Sequence, residues 1–412
     1  MIENVKSKFD WLFSSHYKME RFGCMFGALV LAMCILMGTI IARKMALDKQ
    51  TLGNNVIYTT EFEMSLSGNK GKVLNVLCSD DRTQCFILMK WDDMSKVVTD
   101  ARQYELFLTG TNLDMYKEDL TCRPSASIFM FGSTGYMGIY LVDMNGFQSQ
   151  ILYLALRCNM LATAAPTDIP DYADATFSQY DQAKIYVNPG ASDYVSADFL
   201  NQRNLDTYEI YQLGVVASEE ASIRANLESD LAAMDDKLAR IREYEARVVQ
   251  AGITVPSMPT EIAGDSITKN EDGTYSFTTN YIVSGGYDFD WQAGDVRSGY
   301  LQYLTPSNQT DLQYLTAQRA KRGNMPTMNT DHLLWLRADG TEFNLDTVSS
   351  LSESETTTRN AITNLISAWQ EYYNLKYRYQ TDDVEKLLIL EYNAKDVSKN
   401  YTVNAENNIT LW

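Results

Sequence analysis

The side chains that carry most enzyme chemistry are scarce in this sequence. Two histidines, His16 and His332, occur in 412 residues. That is too few for a multi-histidine metal site and leaves little for imidazole acid–base work. His332 stands beside Asp331 and before the apolar run LLWL. A lone histidine at a strand start is expected to be structural or exposed, not one member of a triad. No G-x-S-x-G, phosphate-binding loop, H-E-x-x-H or kinase signature is found. The chain is expected to be non-enzymatic and to need no cofactor.

Carboxylates are plentiful. Acidic residues number 53 and basic ones 35, a formal net charge of -18. Such a chain repels phosphate backbones, so no nucleic-acid partner is expected. The segment GGYDFDWQAGD places Asp288, Asp290 and Asp295 in a glycine-flanked loop. These oxygens are a weak calcium candidate, because the EF-hand spacing is missing and a solvated turn is the default. A carboxylate pair for glycoside hydrolysis is a further class, but no pair stands out.

Cysteines and aromatics give two more constellations. Cys24 and Cys34 fall in an apolar run. Cys78, Cys85, Cys122 and Cys158 follow it, and four cysteines allow three pairings. Cys78 and Cys85 flank the turn SDDRTQ between VLNVL and FILMK, so they would face each other across a hairpin. Cys122 with Cys158 then follows by exclusion. Trp369, Tyr372, Tyr373 and Tyr377 lie at helical spacing. They read as helix packing first and as a stacking surface for sugar or protein second.

These residues need elements to position them. Phe22 to Ala42, FGCMFGALVLAMCILMGTIIA, carries no charge. As a helix it would span about 31 Å, the thickness of a bilayer's hydrocarbon core. Residues 1–21 form a basic tail with Lys6, Lys8, Lys18 and Arg21, and Trp11, Leu12 and Phe13 suit an interface. The expected topology is a cytoplasmic N-terminus, a single pass through the plasma membrane and an extracytoplasmic C-terminal region. Residues 53–165 read as short strands with turn signals, an all-β sandwich or barrel, with MSKVVTDARQYE as a short helix. Residues 166–217 read as an irregular, tyrosine-rich connector broken by Pro166, Pro170 and Pro189.

Ser218 is expected to cap a helix over 218–252. Leu227, Leu231, Met234, Leu238 and Ile241 repeat there at 4-3-4-3 spacing. A matching seam, Ile362, Leu365, Trp369 and Tyr372, lies in 354–395, with Lys376 and Tyr379 at the same spacing. The simplest packing is an antiparallel hairpin, a coiled-coil stalk that sets residue 227 near 376 and 245 near 358. Residues 253–353 would be a small α+β tip domain, with turns at Asp272-Gly273 and Asp339-Gly340 and a helix ending at Gly323. Residues 396–412 form a tail able to add an edge strand. The fold class is thus an α+β multidomain membrane protein.

The functional expectation is a tip displayed from a membrane for macromolecular contact, as an adhesin-like or structural envelope protein. The alternative is a subunit of a secretion, conjugation or transport machine, and the third class is a carboxylate-based envelope hydrolase. Partners are the bilayer through Phe22–Ala42, an unidentified protein or surface polymer, and, if the seam is shared between chains, further copies of this one.

Overall fold

The computed structural model describes residues 18–160, 180–202, 206–323, 327–328, 330, 332–345, 352–404 and 409–411. His16, Trp11, Leu12, Phe13, Pro166, Pro170 and Asp331 lie outside them. The chain divides into two compact units. One holds the chain up to Met130, Gly135–Arg203 and the chain from Thr402 onward. The other holds Phe131–Thr134 and Asn204–Tyr401.

The first unit opens with helix α1 (Lys18–Asn54). Its apolar part is long enough to cross a membrane and is not covered by any of the fold. Past Ala42 the helix runs on and ends directly against the strands that follow. The last carbonyls of a helix have no donors of their own. Here Leu52 O accepts from Ser149 Oγ at 2.7 Å and Asn188 Nδ2 at 2.7 Å. Gly53 O accepts from Ser192 N at 2.8 Å, and Asn54 O from Asp193 N at 3.2 Å. The helix end is therefore fastened to this unit without a free linker.

Ten strands follow: β1 (Glu61–Glu63), β2 (Lys70–Cys78), β3 (Gln84–Trp91), β4 (Tyr104–Thr111), β5 (Lys117–Glu118), β6 (Ser125–Met130), β7 (Tyr136–Val142), β8 (Ile151–Cys158), β9 (Asp181–Val187) and β10 (Val195–Ser196). They form two sheets, β1-β2-β3-β7-β6 with β10 on β2, and β4-β8-β9 with β5 on β4. One apolar core joins the inner faces, from Val76, Ile87 and Ile139 on one side to Leu106, Leu154 and Ile185 on the other.

Three expectations are corrected here. MSKVVTDARQYE holds two single 3-10 turns, Met94–Lys96 and Ala101–Gln103, begun by Asp93 and Asp100 side chains that accept the N–H two residues on. Such local acceptors favour turns over helix. The tyrosine-rich connector contains β9, whose Asp181, Ala183, Ile185 and Val187 point inward at strand period. Cys78 and Cys85 are bonded, with Cα atoms 4.1 Å apart, but Cys122 and Cys158 are separate buried thiols. Thr121 N bonds the Gln150 side chain just before β8 begins, whereas Cys158 closes β8. A strand of that length spans roughly 25 Å, so the two thiols lie toward its opposite ends and do not pair.

The second unit starts with α2 (Thr207–Tyr211), which passes through a π turn, Gln212–Val216, into α3 (Ala217–Gln250). Ser218 is consequently inside a continuous helix and does not cap it. Next come β11 (Ile253–Thr254), β12 (Ser266–Lys269), β13 (Tyr275–Thr278), α4 (Leu301–Leu304), α5 (Asp311–Lys321) and β14 (Leu336–Arg337). Helix α6 (Glu353–Arg378) is started by a Ser352–Glu355 capping box. It continues through a second π turn, Tyr379–Asp383, into α7 (Val384–Asn400).

Helices α3 and α6 run antiparallel. Asp230 pairs with Arg378 at 3.0 Å and Lys237 with Glu371. The register is more than one turn away from the one that sets 227 near 376. All five seam residues of α3 are buried. Strand β14 pairs with β11 at the end of the two helices, but not all of the residues between them stand there. Hairpin β12–β13, joined by the Asp272-Gly273 turn, lies along them, with Tyr275 N bonded to Glu228 of α3 at 2.9 Å. Residues 253–353 are therefore part of the helical unit, not a separate tip.

The chain ends by returning to the first unit. Strand β15 (Thr402–Asn404) pairs antiparallel with β6, and β16 (Ile409–Leu411) pairs parallel with β4. The tail thus adds one strand to each sheet.

Candidate functional site

Two concavities of the second unit adjoin residues 285–304, which include the acidic loop singled out above, and another, of about 540 Å³, lies beside Gly252, Arg337 and Ser352. Charges placed on the helices hold this segment at three points. Arg224 of α3 donates to Trp291 O at 2.8 Å, Gly294 O at 2.5 Å and Tyr300 Oη at 2.6 Å. Its charge is matched by Glu220 at 2.7 Å. Glu391 of α7 accepts the N–H groups of Tyr300 at 2.7 Å and Leu301 at 3.0 Å, and pairs with Lys395 at 2.6 Å. Glu385 accepts the Tyr287 hydroxyl at 2.6 Å and pairs with Arg319 at 3.0 Å and Arg322 at 2.9 Å.

A fourth point fastens the approach to this segment. Lys376 and Asp265 are both fully buried and lie 2.8 Å apart. The three ammonium protons meet Glu261 O, Asp265 Oδ1 and Thr279 Oγ1 at 2.7, 2.9 and 2.8 Å. Tyr372 donates to Asp265 Oδ2 at 2.9 Å. Burial pushes the Lys376 ammonium below the usual lysine range, against the pull of Asp265. It pushes the Tyr372 phenol up, and the neighbouring carboxylate adds to that. An ion pair with all its partners in place is a structural lock.

Held in this way, residues 288–292 form a ridge between two grooves. The first, of about 380 Å³, is walled by Phe289, Tyr300, Tyr303 and Leu304, with Asp290 and Ser298 also lining it. The second, of about 400 Å³, includes Phe277, Tyr287, Asp288, Tyr379 and Gln380. Phe289 and Tyr300 rings tilt together with centroids 4.9 Å apart. Tyr303 is 83% exposed, an unusual setting for a ring beside a groove. Gly299 takes φ +86°, and a side chain there would meet the Glu391 carboxylate at 3.1 Å. That glycine lets the turn close onto its clamp.

The sequence-derived candidates fare unevenly. Asp288 and Asp290 line the grooves, but no three His, Cys, Asp or Glu side chains converge as a metal site among the described residues. Asp290 Oδ1 accepts Gln292 N and Ala293 N, and Asp295 accepts Ser298 N, so two of the three carboxylates shape turns. Trp369, Tyr372, Tyr373 and Tyr377 are buried and form no stacking surface. Helical spacing had placed them in the packing, and that is where they lie. His332 is exposed and stands apart from this site.

Of the clamp residues, sequence reasoning placed only Lys376 on a seam, although a signal existed for others. Counting the 4-3 spacing of α3 backward from Leu227 reaches Arg224 and then Glu220. Counting on along α6 from Tyr372 reaches Lys376. In α7, Glu391 follows Val384, Leu387 and Leu388 on one face. A charge at a seam position marks where the helix faces something other than its apolar partner. No known protein family, curated protein or solved structure matches the chain.

Proposed function

We propose that this chain is a non-catalytic, single-pass membrane protein that presents the aromatic groove of its helical unit to another macromolecule. The observation that carries the reading is Tyr303, an exposed ring on a groove whose frame is fixed by buried ionic clamps. Pre-organised aromatic walls suit recognition, because little ordering remains to be done on binding. The charged groups around the groove favour the same reading. Glu220, Glu385 and Glu391 are each committed to a cation and to the fold, which suits scaffolding better than proton transfer.

In this reading α1 spans the plasma membrane, with the basic tail in the cytoplasm and both folded units outside. Its length and apolar surface support the span, and the Cys78–Cys85 bond supports an oxidising compartment. The α3–α6 pair acts as the coiled-coil mount of the groove. The test is a photo-crosslinking residue at position 303 of the full chain in its native membrane, with position 250 as control. A discrete adduct of higher mass from 303 alone is expected. Absence of any adduct overturns the reading. An adduct of multiples of this chain's own mass favours a subunit of a larger envelope assembly.

A further inference from the structure

Resting on that reading, we propose that the groove between Phe289 and Tyr303 takes a cationic side chain, lysine or arginine, from a basic segment of a partner protein. Three observations converge on that chemistry. First, the charged residues that line the two grooves, Asp288 and Asp290, are both acidic, and no basic side chain among the described residues lines either. Arg224, the cation behind the ridge, is matched by Glu220 and directed at backbone carbonyls.

Second, the walls are aromatic. The face of a phenol or phenyl ring attracts an ammonium or guanidinium within about 6 Å of its centroid. Tyr303 stands out from the surface, and Phe289 is half-buried beside it, so both offer ring area to a side chain that enters.

Third, the polar groups of the groove are unequal. A sugar ring needs donors and acceptors together. The Tyr300 hydroxyl is already donating to Trp291 O at 2.9 Å, and Ser298 Oγ to Asp295 O at 2.9 Å. Asp290 uses only Oδ1 within its loop, which leaves Oδ2 for a cation, and Asp288, on the neighbouring groove, makes no hydrogen bond among the described residues. Carboxylate oxygens with aromatic walls, and the Tyr303 hydroxyl as the one uncommitted side-chain donor among the described residues of this groove, fit a positive charge better than a sugar ring. The net charge of -18 would also steer a basic segment toward this protein.

The experiment uses the full chain in detergent at ~0.15 M salt, where long-range attraction is screened. The probes are fluorescent hexa-arginine and hexa-lysine peptides, measured by anisotropy, with a chitin oligomer as the sugar probe. The variants are Tyr303→Ala, which keeps the net charge, and Asp290→Asn, which keeps the Oδ1 acceptor. Far-ultraviolet circular dichroism checks that both fold. Peptide binding that weakens about tenfold in each variant supports the proposal. Peptide binding untouched by Tyr303→Ala reduces the effect to general attraction and overturns it. Binding of the chitin oligomer that depends on Tyr303 overturns it in favour of a glycan. Should position 303 crosslink to a partner while neither peptide binds, display stands and the basic segment falls. Should 303 capture nothing, display falls as well.

Discussion

The two units of this protein use charge in opposite ways. In the first, apart from Asp143 and Asp181, the buried polar groups are neutral amides and hydroxyls such as Asn69, Gln150, Asn188 and Thr109. Its turn carboxylates Asp81, Asp93 and Asp100 accept neighbouring N–H and hydroxyl or guanidinium groups, and the buried Asp181 accepts the Leu66 and Ser67 N–H groups. In the second, Lys376, Glu385 and Glu391 are buried, and Arg224 is half-buried. Each reaches from a helix to the segment that folds over it. The difference follows from geometry. Two sheets bury their inner faces against each other and need no further adhesive. A helix pair with one seam leaves its flanks open, and the segment laid over them combines buried apolar residues such as Ile262, Val283, Trp291 and Leu301 with these charged attachments. Buried charge with complete partners adds to the attachment and fixes one arrangement.

The largest effect expected from breaking this contrast comes from Asp265→Ala. It strands the Lys376 ammonium in a dry site, which costs about 3–5 kcal/mol. Hydrogen exchange should rise over β12, β13 and α6 and stay low over β3 and β8. The double change Asp265→Leu with Lys376→Met should recover most of the loss, since an apolar pair of similar volume is tolerated. If the double variant is as weak as the single one, charge is not what holds this segment down.

The same contrast explains what could be read from the sequence. Short β-branched and aromatic runs between turn signals marked most of the first unit, although its central strands β3, β7 and β8 are buried along nearly their whole length and hardly alternate. The α3 and α6 seams were equally plain, and their antiparallel sense followed from the single stripe on each. Strand β9 was obscured by surrounding prolines and tyrosines, although DQAKIYV alternates. The attachment of residues 253–353 along the helices was not legible, because it depends on which charges are buried. Glu391 looks like a surface residue unless its position on the α7 face is counted, as that of Lys376 was on its seam. Tyr303 gave no signal at all: its exposure is a property of the folded segment.

The disulfide comes next in size. Replacing Cys78 and Cys85 with serine removes the constraint on a short loop and should cost the first unit about 2–3 kcal/mol. The second unit, which has no disulfide among its described residues, should keep its transition. Unreduced peptide mapping should recover the 78–85 pair and leave Cys122 and Cys158 as thiols. Burial, with Asp143 nearby, pushes the Cys122 thiol up to about 12, so its alkylation in the folded chain should be slow. A recovered 122–158 bond would contradict the separation of the two sulfurs along β8.

The junction of α1 with the first unit should respond more modestly. Asn188 donates to Leu52 O at 2.7 Å and to Ser149 Oγ at 3.2 Å, and its Oδ1 accepts Gln150 N at 3.1 Å. Asn188→Ala leaves those buried groups short of partners and should cost about 1–3 kcal/mol. The local readout is faster amide exchange at the end of α1. Unchanged exchange there would mean that the helix end does not depend on the loops that cap it.

The smallest effect belongs to the turn carboxylates, and its sign follows from their partners. The Thr83 N–H, then the hydroxyls of Ser79 and Thr83, hold the Asp81 carboxyl below the usual carboxylate range. The unfolded chain has the ordinary value, 3.8, so the unfolded state binds the proton first as pH falls. The stabilisation is complete above pH 3.8 and is lost as pH drops through the lower folded value. Ser95 acts in the same direction on Asp93, and Arg102 on Asp100. Denaturation of the first unit should therefore steepen in acid below that pH. Asp81→Asn has no proton to take up there, and should lower stability near neutral pH while flattening the acid limb. The steepness should fall only in part, because Asp93 and Asp100 still titrate. An acid limb as steep in Asp81→Asn as in the parent would show that the Ser79–Thr83 turn does not contribute through its carboxylate.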